Sequence, residues 1–247
     1  MRQTRTWPDA LLLIRHGESR GNVARDRAES EGLLMIEVQQ RDMDVELSDR
    51  GVEQARALGR WFASTDASSH EQPTAVVSSP YERARQTAAL MIESAGLDIE
   101  LTVDERLRER EFGVLDRLTK AGIKSRFPEQ AELRTFLGKF YHRPPGGESW
   151  ADVALRVRSI LDELSVHYEG ERVAVVAHQV VILMFRYVIE RMSEADILTI
   201  DREHELANCS LTSFVLDEST SPSRPRLDRF NFVGGVADEG SEVTWSK

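Results

Sequence analysis

The chain has 247 residues, 40% of them hydrophobic and 30% charged, enough for one sizeable core and without a run near the roughly 18 apolar residues a membrane span requires. Its formal net charge of −10 argues against a nucleic-acid or anionic-membrane surface, since both demand positive patches; cations meant for an anionic substrate have to be gathered locally. The single cysteine, Cys209, excludes an internal disulfide framework.

Met1 to Ala10 is charged and polar and reads as an extension ahead of the domain. The apolar stretch after it is interrupted at once by Arg15 and His16, too short for the core of a secretory signal, so a cytoplasmic protein is expected. Leu11–Ile14 is short, continuously apolar and bounded by charge, the pattern of a buried strand. Ala75–Ser78 and Arg172–Ala177 have the same character, expected of a sheet covered on both faces. Helical spacing marks Asp49–Ala63, Tyr81–Ala95 and Ser149–His167. Further strands are read at Cys209–Leu216 and Leu227–Phe232.

Strands alternating with helices predict an α/β protein, a three-layer α/β/α sandwich around a mostly parallel sheet. One domain is expected over residues 11–233, with insertions near 26–46 and 114–147 at the mouth of the sheet, and 234–247 as a polar, poorly ordered tail. Cys209, between Leu206 and Leu211, reads as a buried structural thiol. An apolar segment at Phe185–Ile189 would allow a homodimer.

Chemistry concentrates at strand ends. Leu13-Ile14-Arg15-His16-Gly17-Glu18-Ser19 places a guanidinium and an imidazole where an apolar strand stops, and ligands of open α/β sheets sit outside the carboxyl ends of strands. A neutral imidazole is a competent nucleophile that can take up a phosphoryl group, and Arg15 offers a fixed fork of donors for phosphate oxygens. Val175-Val176-Ala177-His178 ends another strand with a second imidazole. A lone histidine at a strand end is usually structural; two of them, accompanied by Arg15 and Arg83, point to a site.

These segments resemble the histidine phosphatase superfamily, whose Arg-His-Gly-Glu signature follows the first strand. Ser78-Ser79-Pro80-Tyr81-Glu82-Arg83-Ala84-Arg85-Gln86-Thr87-Ala88 is similar to its Ser-Pro-x-x-Arg-Ala-x-x-Thr-Ala segment, with Ser79 or Pro80 starting a helix, Arg83 one turn in and Arg85 turned to solvent. The stretch Leu107-Arg108-Glu109-Arg110-Glu111-Phe112-Gly113 is similar to Leu-x-Glu-x-x-x-Gly and makes Glu109 the proton donor to the leaving oxygen, with Glu111 as fallback.

The resemblance implies a phosphate held by Arg15, Arg83 and His178, in-line attack by His16, and a phosphohistidine that water hydrolyses. It also places Asn22 and Arg25 at positions that often touch substrate. Gln179 stands where the superfamily usually has glycine; Ala-His-Gln-Val, together with the Phe127–Ser149 insert, is similar to the fructose-2,6-bisphosphatase branch, which implies substrate contacts near Arg134, Lys139 and Trp150.

The expected activity is therefore hydrolysis of a small phosphate monoester. A phosphomutase that returns the phosphoryl group to a second hydroxyl and a non-catalytic phospho-ligand-binding protein are the alternatives. No cofactor and no metal are expected, because His70, His142, His167 and His204 show no ligand spacing. His142 reads as a surface residue, and Phe140 and Tyr141 as anchors of the insert.

Overall fold

The computed structural model describes residues 7–66, 69–217, 219 and 223–245; the first six residues of the expected extension and the last two of the tail lie outside them. The described strands are β1 (Ala10–Arg15), β2 (Ala75–Ser78), β3 (Leu101–Val103), β4 (Arg172–Ala177), β5 (Leu211–Asp217) and β6 (Arg224–Phe232). They form one sheet in the order β3-β2-β4-β1-β5-β6. The first four in that order run parallel, β5 runs antiparallel to β1, and β6 antiparallel to β5.

Burial on both faces explains why β1 and β4 are apolar throughout. Along β1, Leu11 and Leu13 enter a cluster with Val153, Val157 and Ile160 of helix α6 (Trp150–His167) and Leu183 and Phe185 of α7 (Gln179–Ile189). Leu12 and Ile14, pointing the other way, meet Leu58 and Phe62 of α2 (Asp49–Ser64) and Ala88 and Met91 of α3 (Glu82–Ala95). The strand's two-residue period thus feeds two cores at once, one on each side.

Register decides where the chemistry falls. β1 and β4 are parallel neighbours with Arg15 opposite Ala177, so the next residue of each strand, His16 and His178, emerges at the same edge. The His16 amide donates to the Ala177 carbonyl at 3.0 Å and extends the pairing one step. On the far side of β4, Ser78 pairs with Val176, which brings Ser79 beside His178.

The two expected insertions are built segments that meet over this edge. Residues 26–30 complete α1 (Arg20–Ser30), after which a strap, residues 31–48, crosses the sheet end. The 114–147 region contains α4 (Lys120–Arg126) and α5 (Pro128–Tyr141). Backbone bonds stitch the strap to this region, Ile36 N to Arg117 O at 2.8 Å and Thr119 N to Leu34 O at 3.2 Å.

Several expectations are corrected. The short strand β3 carries no distinguishing apolar run, and β5 starts at Leu211 because Cys209 adopts a left-handed conformation at φ 53°. The tail is packed: Gly234–Ala237 form α9 with Val236 buried against α2, and the Thr244 carbonyl accepts from the Asn208 amide. His142 is 2% exposed, enclosed beneath α5 and near Gln130, because the insert folds back over it. Phe185 is fully buried, and Tyr187, Val188 and Ile189, partly buried, pack against the core. No helix among the described residues is long and apolar enough to cross a membrane.

Candidate active site

His16 follows β1 on a loop that glycine makes possible. A Cβ on Gly17 would lie 2.7 Å from the carbonyl oxygen of Gly51 in the first turn of α2, closer than such atoms approach. The Gly17 amide donates to Thr87 Oγ1 at 3.0 Å, and Thr87 donates to the Arg83 carbonyl, so α3 holds both the loop and the arginine. From the other side, Asn208 Nδ2 donates to the His16 carbonyl at 3.1 Å. The nucleophile candidate is therefore gripped through its backbone by three elements.

The His16 ring lies 5.1 Å from that of His178, centroid to centroid. Nδ1 of His16 contacts the Gly17 carbonyl at 2.7 Å; a carbonyl can only accept, which assigns the proton to Nδ1 and the lone pair to Nε2. Nε2 of His178 lies 2.8 Å from Ser79 Oγ. Ser79 Oγ also accepts from the Tyr81 amide at 3.3 Å, which ties the ring of His178 to the start of α3. Nδ1 of His178 is buried without a hydrogen-bond partner. Ser79, read as a helix starter, instead orients an imidazole; α3 begins after Tyr81.

Burial pushes both imidazoles well below the ordinary histidine value, with Arg83 the next contributor for each. Both rings are accordingly neutral at physiological pH. Arg15 is 3% exposed, donates to the Leu206 carbonyl and is lowered by desolvation to about 10, still charged at neutral pH. Arg83 is 5% exposed, with its guanidinium 5.0 Å from the Tyr81 ring.

Glu109 faces the same space. Its Oε2 lies 3.7 Å from His178 Nδ1, its Oε1 accepts from the Arg110 amide at 2.8 Å, and burial raises its pKa against the opposing pull of Arg83. Glu111 is exposed and accepts from the Tyr81 hydroxyl at 2.8 Å, away from the imidazoles. The geometry separates the two carboxylates that sequence spacing alone left open.

A cavity of about 620 Å³ opens from these groups towards the strap and insert, and His16, Arg15, Arg83 and Glu109 line it. His178 lies just behind the wall, fully buried. Asn22, Arg25, Gln179, Arg134, Lys139 and Trp150 also line the cavity. Asn22 is partly committed, since its Oδ1 caps α1 through the Ser19 amide and hydroxyl. Lys139 is ion-paired to Asp201 of α8 (Glu194–Glu203) and sits 4.7 Å over the Trp150 ring. Arg85 points outward and pairs with Glu82 at 3.6 Å.

Two lining residues carry no sequence signal of their own. Arg110 is 7% exposed and donates through Nε to the Glu148 carbonyl at 2.7 Å, with its guanidinium over Phe112. Asp42, in the strap, reaches Arg83. Neither is distinguishable from ordinary surface charge until the insertions fold over the sheet end. Among the described residues, no three His, Cys, Asp or Glu side chains are gathered so as to hold a metal ion.

Residues 11–231 match the histidine phosphatase superfamily (branch 1). The chain belongs to that superfamily. It is 34% identical over 215 residues, 87% of its length, to the bifunctional protein Rv2228c of Mycobacterium tuberculosis, and spans about half (52%) of that longer relative. It is 33% identical to the 2,3-bisphosphoglycerate-dependent phosphoglycerate mutase of Methylorubrum populi, over 68% of this chain and 73% of the mutase. Among solved structures, the mycobacterial glucosyl-3-phosphoglycerate phosphatase Rv2419c with VO3 superposes with a TM-score of 0.69 at 29% identity, covering 91% of this chain and all of the other. The α/β fold and superfamily membership therefore stand on sequence and structure alike.

Proposed function

We propose that this superfamily member hydrolyses a small phosphate monoester through a phosphohistidine on His16. The observation that carries the reading is the neutral imidazole of His16, with its Nε2 lone pair, set among Arg15, Arg83 and a second neutral imidazole at 5.1 Å. His16 Nε2 attacks phosphorus as the ester P–O bond breaks, and the leaving oxygen takes the proton of Glu109. Arg15 and Arg83 neutralise the equatorial oxygens, and Nδ1 of His178, which has no hydrogen-bond partner within the protein, is the ring nitrogen that donates to one of them. Water then attacks the phosphohistidine, Glu109 accepts its proton, and orthophosphate leaves with His16 restored.

The mutase relatives favour a second reading, in which a substrate hydroxyl replaces water in the last step. The experiment is the same for both. A panel of phosphosugars, phosphoglycerates and nucleotides is assayed for orthophosphate and for isomer, with His16→Ala as control and acid-labile phosphoenzyme measured after rapid quench. Orthophosphate release with a phosphoenzyme that disappears in His16→Ala supports hydrolysis; isomer without release supports the mutase. Binding of phosphate esters without either product leaves a phospho-ligand-binding protein.

A further inference from the structure

Arg83 is the phosphate-binding arginine most enclosed by the strap, yet its fork is already taken. Asp42 Oδ1 lies 3.1 Å from Nη1 and Oδ2 lies 3.1 Å from Nη2, a two-pronged pairing, and the Asp42 carbonyl accepts from Nη1 at 2.6 Å. This is the geometry with which a guanidinium holds two oxygens of a phosphate. The two partners are unequal. Arg83 is fixed, with its side chain 6% exposed and its charge over the Tyr81 ring, whereas the Asp42 side chain is 44% exposed on a single 3₁₀ turn, Asp42–Asp44.

We propose that Asp42 is a built-in competitor for the phosphate site: its carboxylate occupies the Arg83 fork and is displaced by the incoming phosphate, so the strap sets how tightly phosphate is held. The inference rests on Arg83 being a phosphate ligand, as in the function proposed above. Two anions cannot both use one fork, and the exposed one is the one that can leave. When it does, Arg83 keeps its place on Tyr81, and the strap remains tethered by Arg117 Nη2 donating to the Gln40 carbonyl at 2.8 Å. Apparent affinity is then reduced by the fraction of time the fork is clear; a fork clear about one-tenth of the time weakens phosphate about tenfold. The consequence for turnover is easier release of orthophosphate, the product that shares the substrate's charged group.

A rival role for Asp42 is to orient Arg83 for substrate while staying bound, and the two roles predict opposite signs. Orthophosphate binding is measured by calorimetry, and its competitive inhibition constant against p-nitrophenyl phosphate, for the wild-type chain and Asp42→Asn. Displacement predicts that Asp42→Asn binds orthophosphate about tenfold tighter, with KM for the ester falling in step. Unchanged or weaker binding in the variant overturns it. Should Asp42→Asn fail to fold, a structure of the wild-type chain with orthophosphate bound decides the matter. Asp42 withdrawn from Arg83 supports displacement, and Asp42 still bridging both Nη atoms overturns it. Wild-type turnover through a phosphohistidine is read separately, so the inference can fail while the proposed function stands.

Discussion

Glu109 places a carboxylate oxygen 3.7 Å from Nδ1 of His178, and burial acts on both groups. The carboxyl is biased towards its protonated state by burial, and the imidazole is kept neutral by the same desolvation with Arg83 adding to it. The same desolvation therefore disfavours charge on both groups.

Replacing Glu109 with Gln removes the transferable proton and little volume. The rate of phosphoenzyme formation from an alkyl phosphate is expected to fall by about 10²- to 10⁴-fold, the range of general acid catalysis. With p-nitrophenyl phosphate, whose leaving group needs no proton, the loss should be far smaller. Equal losses on both substrates would remove Glu109 from this role.

The pH profile follows from the directions of the shifts. His16 is depressed, so it stays an unprotonated nucleophile below the ordinary histidine value of about 6.5. Glu109 is raised, so it keeps its proton to higher pH than an ordinary carboxyl and loses it as pH climbs through that value. Turnover of an unactivated ester should therefore be best on the acidic side and decline with rising pH, and Glu109→Gln should abolish that decline. An acidic limb centred near 6.5, assignable to His16, would contradict the depressed imidazole.

Gly17→Ala tests the backbone grip on the nucleophile. The added Cβ meets the Gly51 carbonyl oxygen at 2.7 Å, and neither backbone can yield without moving α2 or the His16 loop. Overpacking of this kind costs about 1–3 kcal/mol, which at roughly 2–4 °C per kcal/mol for a chain of this size is a drop in Tm of several degrees. Calorimetry checks the stability, and loss of phosphoenzyme at temperatures where the variant remains folded checks the alignment.

Cys209 is fully buried and burial pushes its thiol far above the ordinary range. A disulfide reagent should leave the native chain unmodified for hours and react with one thiol once the chain is unfolded in denaturant. Rapid native reaction would show that the β1–β5 edge opens. Turnover should be unaffected by the reagent, since the thiol has no part in the proposed chemistry.

Much of the architecture is legible in the chain itself, because its causes are local. The continuous apolar runs of β1, β2 and β4 and the helical spacing of α2, α3 and α6 are written in adjacent residues, and motif order is enough to mark Arg15, His16, Arg83, Glu109 and His178 as candidates. The brief β3, whose residues are half or fully exposed, has no such run, and α7 is apolar nearly throughout, with Val181–Arg186 all buried. The packing of the tail on α2 is not legible either, because its polar residues are satisfied by partners as distant as Gln54 and Asn208.

What the amino-acid order determines by itself is which groups stand at strand ends, since strand periodicity and glycine at the turn act over a few residues. Their convergence is a tertiary matter: only the parallel pairing of β1 with β4, Arg15 opposite Ala177, sets two imidazoles side by side. Desolvation, which lowers the pKa of His16 and raises that of Glu109, exists only once both cores have closed. The Asp42–Arg83 pairing is likewise invisible in the chain, because it depends on where a strap lands, and nothing in the spacing of a loop specifies its landing point.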